Sequence, residues 1–362
     1  MEGEETKAFP MKGGDGPYSY AKNSHYQKTF VDAVKAMIDE AIADKLDIKH
    51  FSTTSSPFRI ADFGCSVGPN SLNSMKNIVE AIEIKYHSEG LSLKIPEFQL
   101  FFNDHSSNDF NTLFASFPPD RPYFIAGVPG SFHGRLFPKA SLHFVHSSYS
   151  LNWLSKVPKE VFDKNSSAWN KGKIHYPTSK IEVVEAYSTQ FVRDMESFLL
   201  ARAQELVFGG LMTLIIPGLA DGFPISKSFT TMLDLVVGSC LMDMTKMGLV
   251  SEDKVDSFNF PIYNPYLQEM EKLIARNKSF SIVRLEVVDR GQGNASTPSV
   301  EAATMGLRAV TEEIIKEHFG SEIIDELFDR VSKKMKEFPH LLDISKNATQ
   351  IFVVLKREDY DP

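Results

Sequence analysis

The sequence predicts an α/β fold, in which a mostly parallel sheet carries helices on both faces. Two observations support this prediction: apolar strand-like runs alternate with amphipathic helical stretches, and the first run ends in a glycine-containing turn. Alternation of this kind is typical of parallel strands joined by helical crossovers. Seven runs have the composition of strands, with expected bounds Phe58 to Phe63, Phe98 to Asn103, Tyr123 to Val128, Leu142 to Ser147, Leu211 to Ile216, Ser279 to Val288 and Gln350 to Lys356.

The turn after the first run is the most informative local feature. Asp62 lies near the end of the run, and glycines follow at positions 64 and 68, where a backbone without side chains can approach a ligand closely. A second acidic strand end comes at Asp104. A dinucleotide site would want a third glycine at the helix start and an acidic residue for the ribose about 20 residues further on. Here Pro69-Asn70 stands at the helix start, and Asp104 lies much further along the chain. The pattern therefore favours S-adenosylmethionine over NAD, with Asp104 on the ribose hydroxyls and the 64–68 loop facing the methionine moiety.

The second half of the chain predicts a long helix and a helical cap. Residues Ile181 to Phe208 have a helical apolar pattern that stops at Gly209-Gly210. Residues 217–278 are too many for a simple connection between strands, so they should form extra structure. We expect most of their Met and Leu residues to be core and a minority to line an apolar pocket. We expect a catalytic core at 1–216 and 279–362, a cap at 217–278 with a further contribution from about 289–345, a surface loop at 289–298, and a helix starting near Ser299.

Composition and charge exclude several classes of protein. The 362 residues are 42% hydrophobic and include 28 Phe, which is enough for an extensive core. The formal net charge of -8 disfavours a nucleic-acid partner. The two cysteines, Cys65 and Cys240, are too few for a disulfide framework. The acidic amino terminus and the absence of a long apolar run predict no membrane span and a cytoplasmic location.

Several segments of the chain resemble the plant SABATH family of S-adenosylmethionine-dependent methyltransferases. That family methylates the carboxyl groups of small acids or the ring nitrogens of xanthines. The matching segments are residues 11–24, 61–66, 102–111, 127–138 and 146–155, and the resemblance extends over essentially the whole chain. It implies a seven-stranded, Rossmann-like methyltransferase sheet with an α-helical cap over the active site, and often a homodimer.

The resemblance also implies which residues surround the methyl donor. Asp104 would accept hydrogen bonds from the ribose rather than cap a helix. Phe132 would stack on adenine, although composition alone favours a core position. Cys65 would be a small apolar filler without a nucleophilic role. The full set is Tyr20, Ser24, Asp62, Cys65, Asn70, Asp104, His105, Ser131, Phe132 and Ser148.

For the acceptor, the resemblance implies a catalytic pair, Gln27 and Trp153. Their amide and indole N–H groups would donate to a substrate carboxylate, which accepts at both oxygens. Without the resemblance, Trp153 would be a core aromatic residue and Gln27 an exposed helix residue. The implied acceptor-binding set is Tyr20, Gln27, Tyr149, Asn152, Trp153, Asp234 and Ile262. A carboxylic acid with a pKa near about 4 is already ionised at pH 7, so direct in-line transfer needs no general base.

The identity of the acceptor depends on three of these positions. Asn152 stands where relatives have Met, His or Gln according to substrate. Asp234 and Ile262 stand where the loganate-methylating relatives have His and Gln for sugar recognition. If Asp234 faces the pocket, its charge favours an acceptor with an amine or hydroxyls. If it points to solvent, that preference disappears.

A magnesium ion near the acceptor is a further implication of the resemblance. The matching oxygen ligands would be Asn170, Asp256, the backbone carbonyl of Phe258, and Asn259, and the ion's role would be structural. A hydrogen-bonded Asn/Asp cluster without metal is the alternative. Two other functions also stay open: a nitrogen methyltransferase of the xanthine type, and a non-catalytic module that binds S-adenosylmethionine.

Overall fold

The computed structural model describes residues 9–51, 56–289 and 297–359. Within these ranges, seven strands form one sheet in the order β3-β2-β1-β4-β5-β7-β6. Strands β1 to β5 pair in parallel, whereas β7 is antiparallel to both β5 and β6. The predicted α/β class and mostly parallel sheet are confirmed. The strands are β1 (Phe58–Phe63), β2 (Phe98–Asp104), β3 (Tyr123–Pro129), β4 (Leu142–Ser148), β5 (Leu206–Pro217), β6 (Phe280–Val288) and β7 (Gln350–Arg357).

Helices cover both faces of the sheet and extend beyond its edge. Residues Leu233–Gly238 wind as a π-helix that continues into α7. Ser299 caps α10 by accepting a hydrogen bond from the backbone N–H of Ala302, which confirms the predicted helix start. The helices are α1 (Tyr20–Asn23), α2 (His25–Lys45), α3 (Ile48–Phe51), α4 (Pro69–Ser88), α5 (Phe110–Ala115), α6 (Ile181–Glu205), α7 (Ser239–Lys246), α8 (Glu252–Asp256), α9 (Leu267–Arg276), α10 (Val300–Phe319), α11 (Ile324–Glu337) and α12 (His340–Asp343). Of the predicted surface loop at 289–298, residues 290–296 lie outside the described ranges.

The junction of α6 and β5 differs from the prediction. The helix was expected to reach Phe208, but it ends at Glu205 because Leu206 already pairs with Leu142 of β4. The register then shifts, and Gly209 has a φ of 77° inside the strand. A residue in this left-handed conformation lets the strand bend, so the glycine serves an irregularity of the sheet and not the end of the helix.

Each face of the sheet has its own apolar core. Alternate residues of a strand point to opposite faces, so Ile60 and Phe144 pack under α2 and α4. Phe63 and Met212 point the other way, towards α6. Helix α9, which falls within the predicted cap at 217–278, places Met270 in this second cluster. The π-helix and α7 instead pack with α10 and α11 in a third cluster.

A buried ion pair fastens the end of α6 to the segment after β3. The side chains of Arg202 and Glu205 are fully buried and 2.7 Å apart. The guanidinium also donates to the carbonyl of Phe132 at 2.9 Å, and the carboxylate accepts from the N–H of Phe137 at 2.9 Å. Because breaking a buried pair leaves an uncompensated charge, these contacts fix the 132–137 backbone firmly.

The structure also bears on the state of the cysteines and on whether any described helix could span a membrane. Both cysteines are buried and free. Among the helices in the described ranges, none combines the length and apolar character needed to cross a bilayer.

Candidate active site

The carboxyl ends of β1, β2 and β4 are joined by short hydrogen bonds. The backbone N–H groups of Gly64 and Cys65 both donate to the carbonyl of Asn103 at 2.9 Å. The hydroxyls of Ser147 and Ser150 donate to the carbonyl of Phe63 at 2.9 and 2.8 Å. The strand ends of a parallel sheet are where ligands commonly bind, and here their backbones converge on one point.

Gly64 is required at this point for two reasons. Its φ of 84° lies in the left-handed region, and a Cβ atom there would be 2.2 Å from the Cβ of Ser150. Ser66 and Tyr149 also have positive φ, at 52° and 60°. Backbone strain of this kind costs about 1–3 kcal/mol per residue and is concentrated at functional sites.

A small cavity of 30 Å³ lies beneath these turns. Several residues predicted to bind the donor line it, namely Tyr20, Asp62, Cys65, Asn70 and Ser148. Ser24 is brought to the same place, because the amide of Asn70 donates to both the carbonyl and the hydroxyl of Ser24 at 3.1 Å. The structure therefore brings together six of the predicted donor residues.

Asp62 is a buried carboxyl whose hydrogen bond comes from the hydroxyl of Ser71. Its side chain is almost fully inaccessible, with the residue 3% exposed. Burial raises the pKa of Asp62 to about 7, and the nearby charge of Asp104 adds to the rise. A carboxyl in this state gains most from a cationic ligand placed beside it.

Asp104 is oriented by the backbone around it. One carboxylate oxygen accepts from the N–H of Ser66 at 2.7 Å, and the other accepts from the N–H of His105 at 2.8 Å. Burial raises the pKa of Asp104, and these two hydrogen bonds oppose the rise. Because both oxygens keep a lone pair, the carboxylate can still accept from ribose hydroxyls.

Ser131 and Phe132 follow β3, next to the end of β2. The amide of Asn103 donates to the carbonyls of Val128 and Gly130, at 2.7 and 2.9 Å, and so holds this segment beside Asp104. Phe132 is only 7% exposed and its ring packs edge-on against Phe198 at 6.3 Å. Its core packing agrees with the compositional expectation, and adenine stacking by Phe132 stays a prediction.

A larger cavity of 440 Å³ opens next to the small one. It is lined by Asn152, Trp153 and Ile262, three of the residues predicted to bind the acceptor. Trp153 and Ile262 form an isolated antiparallel bridge, which fixes the tryptophan backbone against the cap. Most other lining side chains that the sequence did not identify are apolar, including Phe229, Met232, Leu233, Leu307 and Val310.

Three residues line both cavities: Tyr20, Gln27 and Tyr149. All three were predicted to bind substrate. The amide oxygen of Gln27 is buried without a hydrogen-bond partner among the described residues. The boundary between the two cavities is therefore where a bound donor and a bound acceptor would meet.

The expectations for Asp234 need a correction. This residue lines neither cavity and does not point to solvent, since it is only 9% exposed. Its carboxylate instead accepts from the N–H of Ile174 at 3.0 Å and from the hydroxyl of Thr178 at 2.7 Å. Burial raises the pKa of Asp234, although these two hydrogen bonds act to lower it. Asp234 thus anchors the 174–178 segment, and it gives no preference for an amine or a hydroxyl on the acceptor.

The residues proposed to hold magnesium form a hydrogen-bonded cluster. The Asn170 amide donates to the Asn259 oxygen and its own oxygen accepts from Ser179, both at 2.6 Å. Asp256 accepts from the N–H of Gly172 at 2.8 Å, while Phe258 lies in the apolar cluster around α10 and α11. Across 9–51, 56–289 and 297–359, no three His, Cys, Asp or Glu residues are grouped to hold a metal. Each of these oxygens accepts one hydrogen bond, so the residues are held in place without a cation, and magnesium binding stays a prediction.

Comparison with known proteins gives concordant matches. A family model described as SAM dependent carboxyl methyltransferase matches residues 6–358. A loganic acid O-methyltransferase from Catharanthus roseus is 49% identical over 357 residues, which cover 97% of this chain and 95% of that protein. A farnesoic acid carboxyl-O-methyltransferase from Arabidopsis thaliana is 41% identical, with 97% and 99% covered. A solved structure of a loganic acid methyltransferase with SAH superposes with a TM-score of 0.91 at 48% identity, covering 96% of this chain and 99% of that chain.

The turn at Gly64 can be tested with a pair of alanine variants. We expect Gly64→Ala to weaken binding of S-adenosylhomocysteine at least about tenfold, because relieving the 2.2 Å contact with Ser150 must move the floor of the small cavity. Gly90→Ala is the matched control, since Gly90 has a φ of 72° but no atom within 4 Å of an added Cβ. Calorimetry on both variants measures the difference. Equal affinities in the two would contradict the role given to the close approach.

Proposed function

Because the chain belongs to the SABATH family of S-adenosylmethionine-dependent carboxyl methyltransferases, we propose that its two cavities divide the donor from the acceptor. The enzyme forms the methyl ester of a small plant acid, with S-adenosylmethionine as the methyl donor. In the proposal the methionine end of the donor occupies the small cavity. The acceptor acid occupies the large cavity, with its carboxylate at the boundary.

One observation carries this proposal: Tyr20, Gln27 and Tyr149 line both cavities. Methyl transfer requires the donor carbon and the acceptor oxygen to touch, which restricts the reaction to a shared boundary. Gln27 lies on this boundary and Trp153 lines the acceptor side. Their N–H groups would hold the two carboxylate oxygens and aim one of them at the donor.

The proposed donor residues bind different parts of the ligand. Asp62 would pair with the ammonium of the methionine moiety, which offsets the cost of its burial. Asp104 would accept from the ribose hydroxyls, in the orientation that the N–H groups of Ser66 and His105 impose. S-Adenosylmethionine supplies an electrophilic methyl carbon on sulfur. Cys65 and Ser148 complete the wall without a chemical role.

The residues at the acceptor carboxylate act by position and not by proton transfer. A carboxylic acid is ionised at neutral pH, so its oxygen is already a nucleophile. Neutral N–H donors hold it without the strong neutralisation that a lysine or arginine would cause. The apolar lining excludes water, so alignment of oxygen, carbon and sulfur would provide most of the rate. No step is assigned to a metal.

The acceptor proposed here is an acid with a largely apolar body. Phe229, Met232, Leu233 and Ile262 line the large cavity. Asp234, the one acidic residue proposed for this pocket, is engaged elsewhere. A homodimer and a cytoplasmic location are further proposals that rest on the family and on the composition.

A substrate panel tests the carboxyl proposal. Of the acids named for two relatives, we expect methyl transfer from labelled S-adenosylmethionine to the apolar farnesoic acid in preference to the sugar-bearing loganic acid. A xanthine without a carboxylate should react at least about tenfold more slowly, because a ring nitrogen cannot use both N–H donors. Faster transfer to the xanthine would select the nitrogen methyltransferase. Binding of S-adenosylmethionine without transfer to any compound would favour a non-catalytic module.

Trp153→Phe separates acceptor binding from donor binding. We expect kcat/KM for the acceptor acid to fall about 10- to 100-fold, because one hydrogen bond to a charged group is lost while an aromatic ring remains. The dissociation constant of S-adenosylhomocysteine should change less than about threefold. Trp169→Phe is the matched control, since Trp169 is the second of the chain's two tryptophans and lines neither cavity. An equal loss in kcat/KM for the acceptor and in affinity for S-adenosylhomocysteine would count against the role assigned to Trp153.

The pH dependence of donor binding tests Asp62. Its carboxyl has a pKa raised to about 7 in the ligand-free protein, so it is protonated in mild acid and ionises as pH rises. The α-amino group of the ligand stays charged over this range. Affinity for S-adenosylhomocysteine should therefore increase about tenfold from pH 5.5 to 7, and Asp62→Asn should abolish this slope. A wild-type titration that is flat with pH would argue against the ion pair.

A further inference from the structure

A row of three polar side chains crosses the middle strands of the sheet, next to a row that is entirely apolar. Asp62 of β1 pairs in register with His146 of β4, and His146 pairs with Thr213 of β5. Paired residues of neighbouring parallel strands point to the same face, so the three side chains lie side by side. Two residues earlier, the same row is Ile60, Phe144 and Leu211. The polar row is thus a break in the core under α2 and α4.

His146 has a hydrogen-bond partner at one ring nitrogen and none at the other. Its Nδ1 lies 2.9 Å from the hydroxyl oxygen of Thr213. Its Nε2 is buried and has no hydrogen-bond partner in the described part of the chain. An unpartnered nitrogen at a buried position costs free energy unless a ligand satisfies it.

The partner of Nδ1 decides which nitrogen carries the proton. Within the described ranges, the Thr213 hydroxyl has His146 as its hydrogen-bond partner, so its proton is satisfied only by donation to Nδ1. The Nε2 atom then carries the imidazole proton. Burial lowers the pKa of His146 to about 4, which keeps the ring neutral at physiological pH.

His146 forms part of the wall of the small cavity. His146 lines that cavity together with Asp62 and Ser148. Neighbouring strands lie about 4.8 Å apart, so the side chains of Asp62 and His146 stand next to each other at the wall of this cavity. An α-amino acid presents an ammonium and a carboxylate on one carbon, which is a matching pair of opposite groups.

We propose that His146 is a donor-binding residue whose Nε2–H donates to the carboxylate of the methionine moiety, while Asp62 takes the ammonium. The inference rests on the donor placement proposed above. Thr213 acts as a positioning residue, because its hydroxyl fixes the tautomer that presents the proton to the ligand.

Two ligands that differ only in the amino-acid end test this assignment. S-Adenosylhomocysteine has the end that His146 would bind, and 5′-methylthioadenosine lacks it. In calorimetry with the full chain, His146→Phe should weaken S-adenosylhomocysteine about tenfold and change methylthioadenosine less than about twofold. Thr213→Val, a second variant of nearly unchanged shape, should weaken the first ligand in the same direction.

A second histidine of β4 provides the control. His143→Phe replaces another histidine of β4, whose Nδ1 accepts from the N–H of Arg59 and which lines neither cavity, so neither affinity should change. If His146→Phe and Thr213→Val weaken both ligands equally, or neither, the proposal is overturned and His146 is only structural. If wild-type protein binds methylthioadenosine and S-adenosylhomocysteine equally well, or binds neither, the donor placement itself fails.

Discussion

Gly64 and Ser150, which follow β1 and β4, approach each other more closely than any side chain at position 64 would allow. The hydroxyls of Ser147 and Ser150 hold the carbonyl of Phe63, and the next two N–H groups hold Asn103 of β2. Three strand ends are thereby fixed to one another. The small cavity beneath them, and the position of Tyr149 at its boundary with the large one, depend on this constraint.

Charge is distributed unequally between the two cavities. The donor side has Asp62 and, nearby, Asp104, two carboxyls whose pKa values burial raises. That arrangement suits a ligand with a cationic ammonium and hydroxyl donors. At the proposed acceptor side Gln27 and Trp153 are neutral, so a carboxylate held there would keep its nucleophilic charge. In the proposed complex, carboxylates would bind the cationic and hydroxyl groups of the donor, and N–H dipoles would bind the anionic acceptor.

Sequence reasoning succeeded where local pattern and local structure coincide. The strand runs were found within a few residues because apolar β-rich segments are bounded by polar turns, as at Phe58 and Phe63. It failed at Phe208, where pairing of Leu206 with a distant strand overrides a helical pattern. It also failed for Asp234, whose partners Ile174 and Thr178 are set by tertiary packing. The row of His146 with Asp62 and Thr213 needs the strand register, which a single sequence does not contain.

The central claim is that neutral N–H groups hold an anionic oxygen against the donor at the shared boundary. A crystal structure with S-adenosylhomocysteine and the acceptor acid bound tests it most directly. We expect the indole nitrogen of Trp153 and the amide nitrogen of Gln27 within hydrogen-bond distance, about 2.7–3.2 Å, of the two carboxylate oxygens, with one oxygen facing the sulfur. A carboxylate bound elsewhere in the large cavity, with both N–H groups directed away from it, would contradict the claim.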